Sequence, residues 1–273
     1  MNSTLKSFAQ VMFQNSQISG LFFFIAIFIN SINLAFGMLL GVVASNYFAK
    51  ILVSNKNDIE DGLYGFNGAL VGIALLLFFK HTIWLYIVLI FASFFATYVF
   101  YYLKNSLINF QAFTFPFILT VWIVLYFSNT FLLDLQILNK NITSYNIFET
   151  IFLNISQVFF QDYYLSGILI AIGVFLNSKR DFFYIIYASF IALIFANLFS
   201  FATNDIEVGL YGYNAVLIAL SLVYAGKNLF TITLAIILSI FVVKIFFALN
   251  LVALTFPFVL VSWIFLYKKT SEV

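Results

Sequence analysis

The most informative property of this sequence is how little charge it carries. Only 8% of its 273 residues are charged and 64% are hydrophobic, whereas a soluble domain has roughly 25% charged residues. The net charge of +2 is also too small to suggest nucleic-acid binding. The mean hydropathy of +1.09 indicates a chain surrounded by lipid. The sequence therefore predicts an all-α integral membrane protein.

Several reactive groups are missing as well. Without cysteine there is no disulfide, thiolate ligand or thiol nucleophile. His81 is the only histidine, and no Ser-His-Asp or metal-ligand cluster occurs, so we expect no enzyme, metal or cofactor. The acidic residues fall at the ends of apolar segments or in loops, where they cannot form a proton relay at the membrane centre. The N-terminus also lacks the features of a cleavable signal peptide.

What the sequence does contain is an internal repeat. The segment DGLYGFNGAL (61–70) returns 147 residues later as VGLYGYNAVL (208–217), and AQVMFQNSQISGL (9–21) returns at the same distance as SQVFFQDYYLSGI (156–168). A third pair, FTFPFILTVW (113–122) and LTFPFVLVSW (254–263), is 141 residues apart and contains both prolines of the chain. Proline in such a chain predicts a helix start or break at this matched position. We infer that the protein was built twice from one unit.

Ten apolar segments can serve as membrane spans, each with boundaries uncertain by a few residues. They are 18–31, 33–53, 62–80, 82–103, 113–133, 165–177, 181–203, 208–226, 228–248 and 254–267. Five spans per half is an odd number, so the second half enters the membrane from the opposite side and the repeat is predicted to be inverted. The halves are residues 1–134 and 149–273, with a linker at 135–148. The repeated segment ahead of each half's first span is too short to cross and predicts a re-entrant helix.

The basic residues agree with this topology. If the chain crosses the membrane at each of the ten spans, nine of the twelve lysines and arginines lie on one side. Those on the other side are Lys80, Lys140 and Lys244. The positive-inside rule then predicts a multi-pass protein of the cell membrane with both termini in the cytoplasm.

The glycines and asparagines of the first repeat have structural interpretations. Gly62, Gly65 and Gly68 recur at every third residue, which favours close helix packing. The alternative is that the side-chain-free backbone lets carbonyls line a pathway. Asn67 and its partner Asn214 are predicted to satisfy free backbone groups at a helix break.

The glutamines and threonines leave two roles open. Gln10 and Gln157 lie in apolar segments, where they either join helices by hydrogen bonds or offer carbonyl oxygens to a substrate. Thr114 and Thr255, two residues before each proline, either cap the next helix or add hydroxyls to a line of acceptors. Acceptors and aromatic walls without a fixed charge at mid-membrane suit a small, neutral, flat molecule that carries N–H donors. An ion would lose more hydration energy than such a path replaces.

The repeated motifs QVMFQ with QVFFQ, GLYGFNGALVG (62–72) with GLYGYNAVLIA (209–219), and the two TFPF segments together resemble the urea transporter family. The resemblance implies an inverted repeat of five spanning helices plus one tilted re-entrant helix per half. It further implies a homotrimer with one urea path in each protomer and passive, channel-like movement of urea down its gradient.

The resemblance also assigns substrate-binding residues by position. One mouth of the path would be formed by Gln10, Val11, Phe13, Phe66 and Leu70. The opposite mouth would be formed by Gln157, Val158, Phe160, Tyr213 and Leu217. Thr114 and Thr255 would face the constriction between the two mouths.

This chain departs from the family's pattern in three respects. The family's Leu-Pro before the threonine motif is replaced by Phe110-Gln111 and Leu251-Val252, Tyr213 stands where a phenylalanine is expected, and the second half is shortened. Two alternative functions stay open on the sequence. One is a channel or carrier for other small neutral amides, and the other is an ion-coupled secondary transporter, in which inverted repeats are also common.

Overall fold

The computed structural model describes residues 2–52, 56–106, 111–136 and 145–267. Within these ranges the ordered elements are helices, and an isolated β-bridge joins Phe79 to Leu135. The helices are α1 (Asn2–Gln10), α2 (Gln17–Asn30), α3 (Ile32–Leu52), α4 (Lys56–Glu60), α5 (Phe66–Phe78), α6 (Ile83–Asn105), α7 (Phe115–Tyr126), α8 (Ile147–Ser156), α9 (Tyr164–Asn177), α10 (Lys179–Leu198), α11 (Thr203–Glu207), α12 (Tyr213–Tyr224), α13 (Leu229–Ala248) and α14 (Phe256–Leu266). A 3₁₀ turn, Gln157–Phe159, follows α8. The predicted all-α class is confirmed.

Helix length and composition identify a membrane protein with several spans. Among the described residues, α3, α6, α10 and α13 are long and apolar enough to cross a bilayer, with 20 to 23 residues each. The run Ile147–Phe159 meets α9 at a bend of 77° and supplies a fifth span if the two are counted together. The count of ten spanning helices stays a prediction.

Four of the predicted spans contain helices of only 11 to 13 residues, namely α5, α7, α12 and α14. A turn precedes α5 and α12, and in it Gly62 and Gly209 have φ of 76° and 83°, a conformation that favours glycine. A left-handed residue, Phe113 or Leu254, precedes α7 and α14, and a proline lies in the first turn of each. These backbone breaks shorten the helices relative to the continuous spans that hydropathy suggested. The prediction that each proline marks a helix start is confirmed.

The repeated glycines pack helices together. A Cβ atom added to Gly68 would lie 2.5 Å from the carbonyl oxygen of Gly41 on α3, and one added to Gly72 would lie 1.9 Å from that of Gly37. Backbone therefore touches backbone where α3 crosses α5, and any side chain would separate the two helices. The packing interpretation of this motif is confirmed for Gly68, whereas Gly62 and Gly65 lie in the turn before α5 and not on a helix face.

Several hydrogen bonds between the two halves occur in matched pairs. Ser19 on α2 donates to the carbonyl of Gly173 on α9 at 2.8 Å, and Ser166 on α9 donates to the carbonyl of Ala26 on α2 at 2.6 Å. Each residue of the second bond lies 147 positions from its counterpart in the first. The contact between α2 and α9 is therefore self-complementary.

The same reciprocity appears at the other end of each half. The indole Nε1 of Trp122 donates to the carbonyl of Val252 at 2.9 Å, and that of Trp263 donates to the carbonyl of Gln111 at 2.8 Å. These residues are matched at the 141-residue spacing. The C-terminal segments of the two halves therefore contact each other through equivalent hydrogen bonds.

Some predictions fall on residues outside the described ranges. They concern most of the linker at 135–148, the residue Phe110 of the departure from the family's pattern, and the basic residues Lys140, Lys268 and Lys269.

Candidate functional site

The first five predicted mouth residues were expected to gather at one place, and four of them do. A cavity of about 340 Å³ opens between α1, the turn after it, α5, α6 and the segment before α7. It is lined by Gln10, Val11, Phe13, Leu63, Phe66, Phe100, Leu103, Lys104, Gln111, Ala112, Phe113, Thr114 and Phe258. We call this cavity the first mouth. Leu70 is fully buried one helical turn deeper on α5 and does not line it.

The aromatic wall of the first mouth is built on strained backbone. Phe13 follows α1 in a left-handed conformation with φ of 60°, which turns its ring away from the helix and into the cavity. The ring centroid lies 6.0 Å from that of Phe113 and 6.1 Å from that of Phe258, both in edge-to-face contact. Left-handed conformations of phenylalanine cost of order 1–3 kcal/mol and persist only where the surrounding structure enforces them.

The equivalent residue of the second half repeats this geometry. Phe160 has φ of 58°, and its ring lies 6.1 Å from the ring of Phe117, the counterpart of Phe258. Val158 is buried in the 3₁₀ turn beside it, and that turn packs on α12, which carries Tyr213 and Leu217. We use the name second mouth for Gln157, Phe160 and Tyr213, three of the residues that were predicted to form the opposite end of the path.

Both glutamines are oriented by a backbone carbonyl. The Nε2 of Gln10 donates to the carbonyl of Asp61 at 2.9 Å, and that of Gln157 donates to the carbonyl of Val208 at 3.0 Å. Within the described part of the chain, the Oε1 atom of Gln10 accepts no hydrogen bond. With its amide nitrogen held and its carbonyl oxygen free, Gln10 can act as an acceptor in the first mouth.

The two threonines meet in the centre of the molecule. The hydroxyl oxygens of Thr114 and Thr255 are 2.7 Å apart, and both side chains are buried. Neither hydroxyl caps the helix that follows it. Thr114 also lines the first mouth, so one member of the pair contacts that cavity. The capping interpretation of the threonines is therefore wrong.

The missing caps are supplied by the asparagines of the repeat. The Oδ1 atom of Asn67 accepts the backbone N–H of Phe117 at 3.1 Å, and Oδ1 of Asn214 accepts that of Phe258 at 3.0 Å. Because each asparagine satisfies a helix N-terminus from a different helix, the threonine hydroxyls are left to face each other. The prediction that these asparagines satisfy backbone groups at a helix break is confirmed.

These contacts bring four helix N-termini together. Asn67 joins the start of α5 to that of α7, Asn214 joins the start of α12 to that of α14, and the threonine pair joins α7 to α14. The positive ends of four helix dipoles therefore surround the centre. Such an arrangement repels cations from the place where the two halves meet.

The two mouths differ at one aromatic position. Phe66 packs edge-to-face on Phe100 at 5.4 Å, whereas the hydroxyl of Tyr213 donates to the carbonyl of Leu254 at 2.7 Å. That carbonyl belongs to the residue just before Thr255, so Tyr213 occupies an acceptor close to the threonine pair. The extra hydroxyl noted in the sequence is satisfied internally.

Several residues of the first mouth were not predicted. Phe258 was visible as the final residue of a repeated TFPF motif, whereas nothing in the sequence marks Phe113 as left-handed. Lys104 lies in the last turn of α6, pairs with the carboxylate of Asp58 and lies over the ring of Tyr64 at 5.6 Å. At either repeat spacing its counterpart is an apolar residue, Leu251 or Ile245, so the repeat did not identify it.

A fully buried carboxylate next to the first mouth was also missed. Asp181 was predicted to lie in or next to a loop, but its side chain is 0% exposed. The Ser178-x-x-Asp181 pattern at the start of α10 gave no indication of burial, because it is typical of an exposed helix start.

The comparison with known families agrees with this geometry. A family model described as "Urea transporter" matches residues 1–270, nearly the whole chain. The match covers both copies of each repeated motif and every residue named at the two mouths. The chain therefore belongs to the urea transporter family.

Proposed function

We propose that the chain is a channel for passive, selective permeation of urea through a path between its two halves. The single observation that carries this proposal is the bonded pair of buried hydroxyls, Thr114 and Thr255, of which Thr114 lines an aromatic cavity. In the path proposed here, the first mouth leads to this pair and the second mouth leads away from it.

The reciprocal contacts support an inverted repeat. Two similar units whose residues exchange contacts pairwise are related by an approximate two-fold axis. If that axis lies in the membrane plane, α1 and the run Ile147–Phe159 are re-entrant helices that enter from opposite faces. The ten apolar helices predicted from the sequence would then form two bundles of five, with the path between them.

The path replaces the water around urea with fixed groups. Aromatic rings such as Phe13 and Phe66 offer flat faces to the plane of urea, and Oε1 of Gln10 accepts one of its edge hydrogens. Each threonine hydroxyl has two lone pairs and one hydrogen, and their mutual bond uses one hydrogen. The remaining lone pairs can accept N–H groups from urea as it passes.

Electrostatics exclude cations such as ammonium. The four helix N-termini at the centre carry positive partial charges, and Lys104 is the only charged residue among the described residues that line the first mouth. No carboxylate in that lining offsets them. A neutral solute with N–H donors is therefore favoured over a cation of similar size.

Stopped-flow measurement of purified protein in vesicles tests the function. Urea permeability should exceed that of protein-free vesicles many-fold, while glycerol permeability should stay at the lipid background. A rise for acetamide that equals the rise for urea would favour the broader amide channel instead. No urea permeability above background would refute the proposal.

A second measurement separates a channel from an ion-coupled transporter. Ionophores that collapse the sodium and proton gradients should leave urea flux unchanged, because no carboxylate is among the described residues that line the first mouth. Dependence of the flux on either gradient would favour the coupled mechanism.

The proposed setting is a homotrimer in the cell membrane with both termini in the cytoplasm. The resemblance to the urea transporter family supports the trimer, and the nine basic residues on one predicted side support the orientation. Side chains such as Phe91, Phe183 and Phe230 are more than 60% exposed in the single chain and would face lipid or a neighbouring protomer. Native mass spectrometry in detergent should give three chains per particle.

A further inference from the structure

The buried carboxylate of Asp181 has more hydrogen-bond partners than a helix start needs. Its Oδ2 accepts from the hydroxyl of Tyr224 at 2.8 Å and from Nε2 of Gln14 at 3.1 Å, and its Oδ1 accepts from Nε of Arg180 at 3.2 Å. Bonds of this kind to an ionised group are roughly twice as strong as neutral ones. The carboxylate therefore fixes the three side chains around it.

One of these side chains contacts the first mouth directly. The Tyr224 ring is stacked on the ring of Phe13, with centroids 5.9 Å apart and planes inclined by 30°. Its hydroxyl also lies 3.0 Å from the carbonyl oxygen of Phe13. The hydroxyl has one hydrogen for two acceptors, Phe13 and Asp181, so it links the carboxylate to the strained backbone that orients Phe13.

The Tyr224 ring also contacts a cation, Arg180. The guanidinium of Arg180 lies 5.5 Å from the centroid of the Tyr224 ring, within the range of cation–π attraction. Tyr224 is half-exposed, so water alone would leave its ring free to rotate. Asp181 and Arg180 together hold the ring against Phe13.

Among the described residues, the second mouth has no equivalent of this arrangement. At the 147-residue spacing, Asp181 corresponds to Leu34, Arg180 to Asn33 and Tyr224 to Leu77. Among the described rings, Phe160 has edge-to-face partners and no stacked one. The equivalent phenylalanines of the two mouths, Phe13 and Phe160, therefore differ in how firmly their rings are held.

We propose that Tyr224, held by Asp181, is a positioning residue for Phe13 and makes the first mouth the more selective of the two. This inference rests on the proposed urea path, because it assigns Phe13 a contact with the permeating solute. Asp181 and Tyr224 act through Phe13 and need not touch urea themselves.

Tyr224→Phe tests the proposal, since it keeps the ring and removes the hydroxyl. We expect urea permeability to fall by roughly tenfold or more, the factor that one hydrogen bond to a charged group corresponds to. The permeability ratio of methylurea to urea should rise, because a loosely held Phe13 discriminates less by size. Asp181→Asn should change both quantities in the same direction. The matched control is Tyr187→Phe, which loses a hydroxyl bond of 2.7 Å to Thr233 away from the cavity.

A fluorine probe measures the position of Phe13 without reference to transport. With 4-fluorophenylalanine placed at residue 13, Tyr224→Phe should shift the ¹⁹F resonance, whereas a probe at residue 160 should give an unchanged resonance. An unmoved resonance at residue 13, or a methylurea-to-urea ratio equal to that of Tyr187→Phe, would overturn the proposal. If the wild type carried no urea, the proposed function would fail, and the fluorine result would still decide whether Tyr224 positions Phe13.

Discussion

Replacing the central threonines tests the role that we propose for them in the urea path. Thr114→Val and Thr255→Val each remove one hydroxyl from a bonded pair 2.7 Å apart. The remaining hydroxyl is buried and loses its partner, which costs about 1–3 kcal/mol of folding stability. The double variant leaves no orphaned hydroxyl. Its loss of stability should therefore be smaller than the sum of the two single losses by about 1–2 kcal/mol.

Transport should respond differently from stability. Each single variant removes acceptors that urea uses in passing, which raises the barrier by about 1–2 kcal/mol and slows flux roughly 5- to 30-fold. The double variant should have the lowest urea flux of the three variants. Its folding stability should nevertheless be higher than the sum of the two single losses predicts. Stability comes from thermal unfolding in detergent, and flux from stopped-flow light scattering of vesicles.

The opposite ordering would refute this reasoning. If the stability losses are additive, the two hydroxyls do not depend on each other. If flux in the double variant equals that of the wild type, the threonines do not supply acceptors to the solute. Thr97→Val is a control, since its buried hydroxyl bonds to the carbonyl of Ser93 within the same helix.

Three further perturbations follow from the fold. Asn67→Ala removes the cap of α7 and should lower stability by about 2 kcal/mol in thermal unfolding. Gly41→Ala places a methyl group 2.0 Å from the carbonyl oxygen of Gly68 and should cost more than about 2 kcal/mol, because α3 and α5 must separate. Hydrogen bonds from Lys6 and Asn15 hold the pKa of Asp61 below its ordinary value of 3.8. The stability that this carboxylate contributes is therefore present above pH 3.8 and is lost as the pH falls through its lowered pKa. In Asp61→Asn, the melting temperature should no longer show the decrease that this carboxylate causes in acid.

Each of these has a matched control. Asn197→Ala removes an asparagine bond to the preceding turn of its own helix and should cost less than Asn67→Ala. Gly226→Ala adds a methyl group with no atom within 4 Å, so only its backbone strain at φ of 69° should appear. Equal losses in either comparison would contradict the packing and capping roles assigned here. For the third, an acid transition that persists unchanged in Asp61→Asn would show that other groups cause it.

The repeated motifs allowed much of the site to be predicted, because a duplicated polar residue in an apolar chain stands out. Gln10 and Thr114 were identified in this way, the resemblance to the urea transporter family added Phe13 and Phe66, and all four residues line one cavity. The sequence alone could not decide between a cap and an acceptor for Thr114. That choice depends on Asn67, which reaches the next short helix from another part of the chain.

Features that occur in only one half were much harder to predict. Asp181 resembles an ordinary helix-start residue, and its burial depends on Gln14 and Tyr224, which are 167 and 43 residues away. No local pattern encodes contacts at such separations. The short helices were also missed, since hydropathy continues unchanged through the left-handed residues Phe113 and Leu254.

The exchange of partners between halves has a consequence for how the chain is made. Ser166 finds its acceptor in a segment already synthesised, but Ser19 must wait for Gly173 and Trp122 must wait for Val252. At 5–20 residues per second, a delay of some 130–155 residues lasts roughly 7–30 s. During that time the first half has unpaired polar groups in lipid, and it is most exposed to quality-control proteases. Variants that slow synthesis of the second half should therefore lower yield even when they leave the finished protein unchanged.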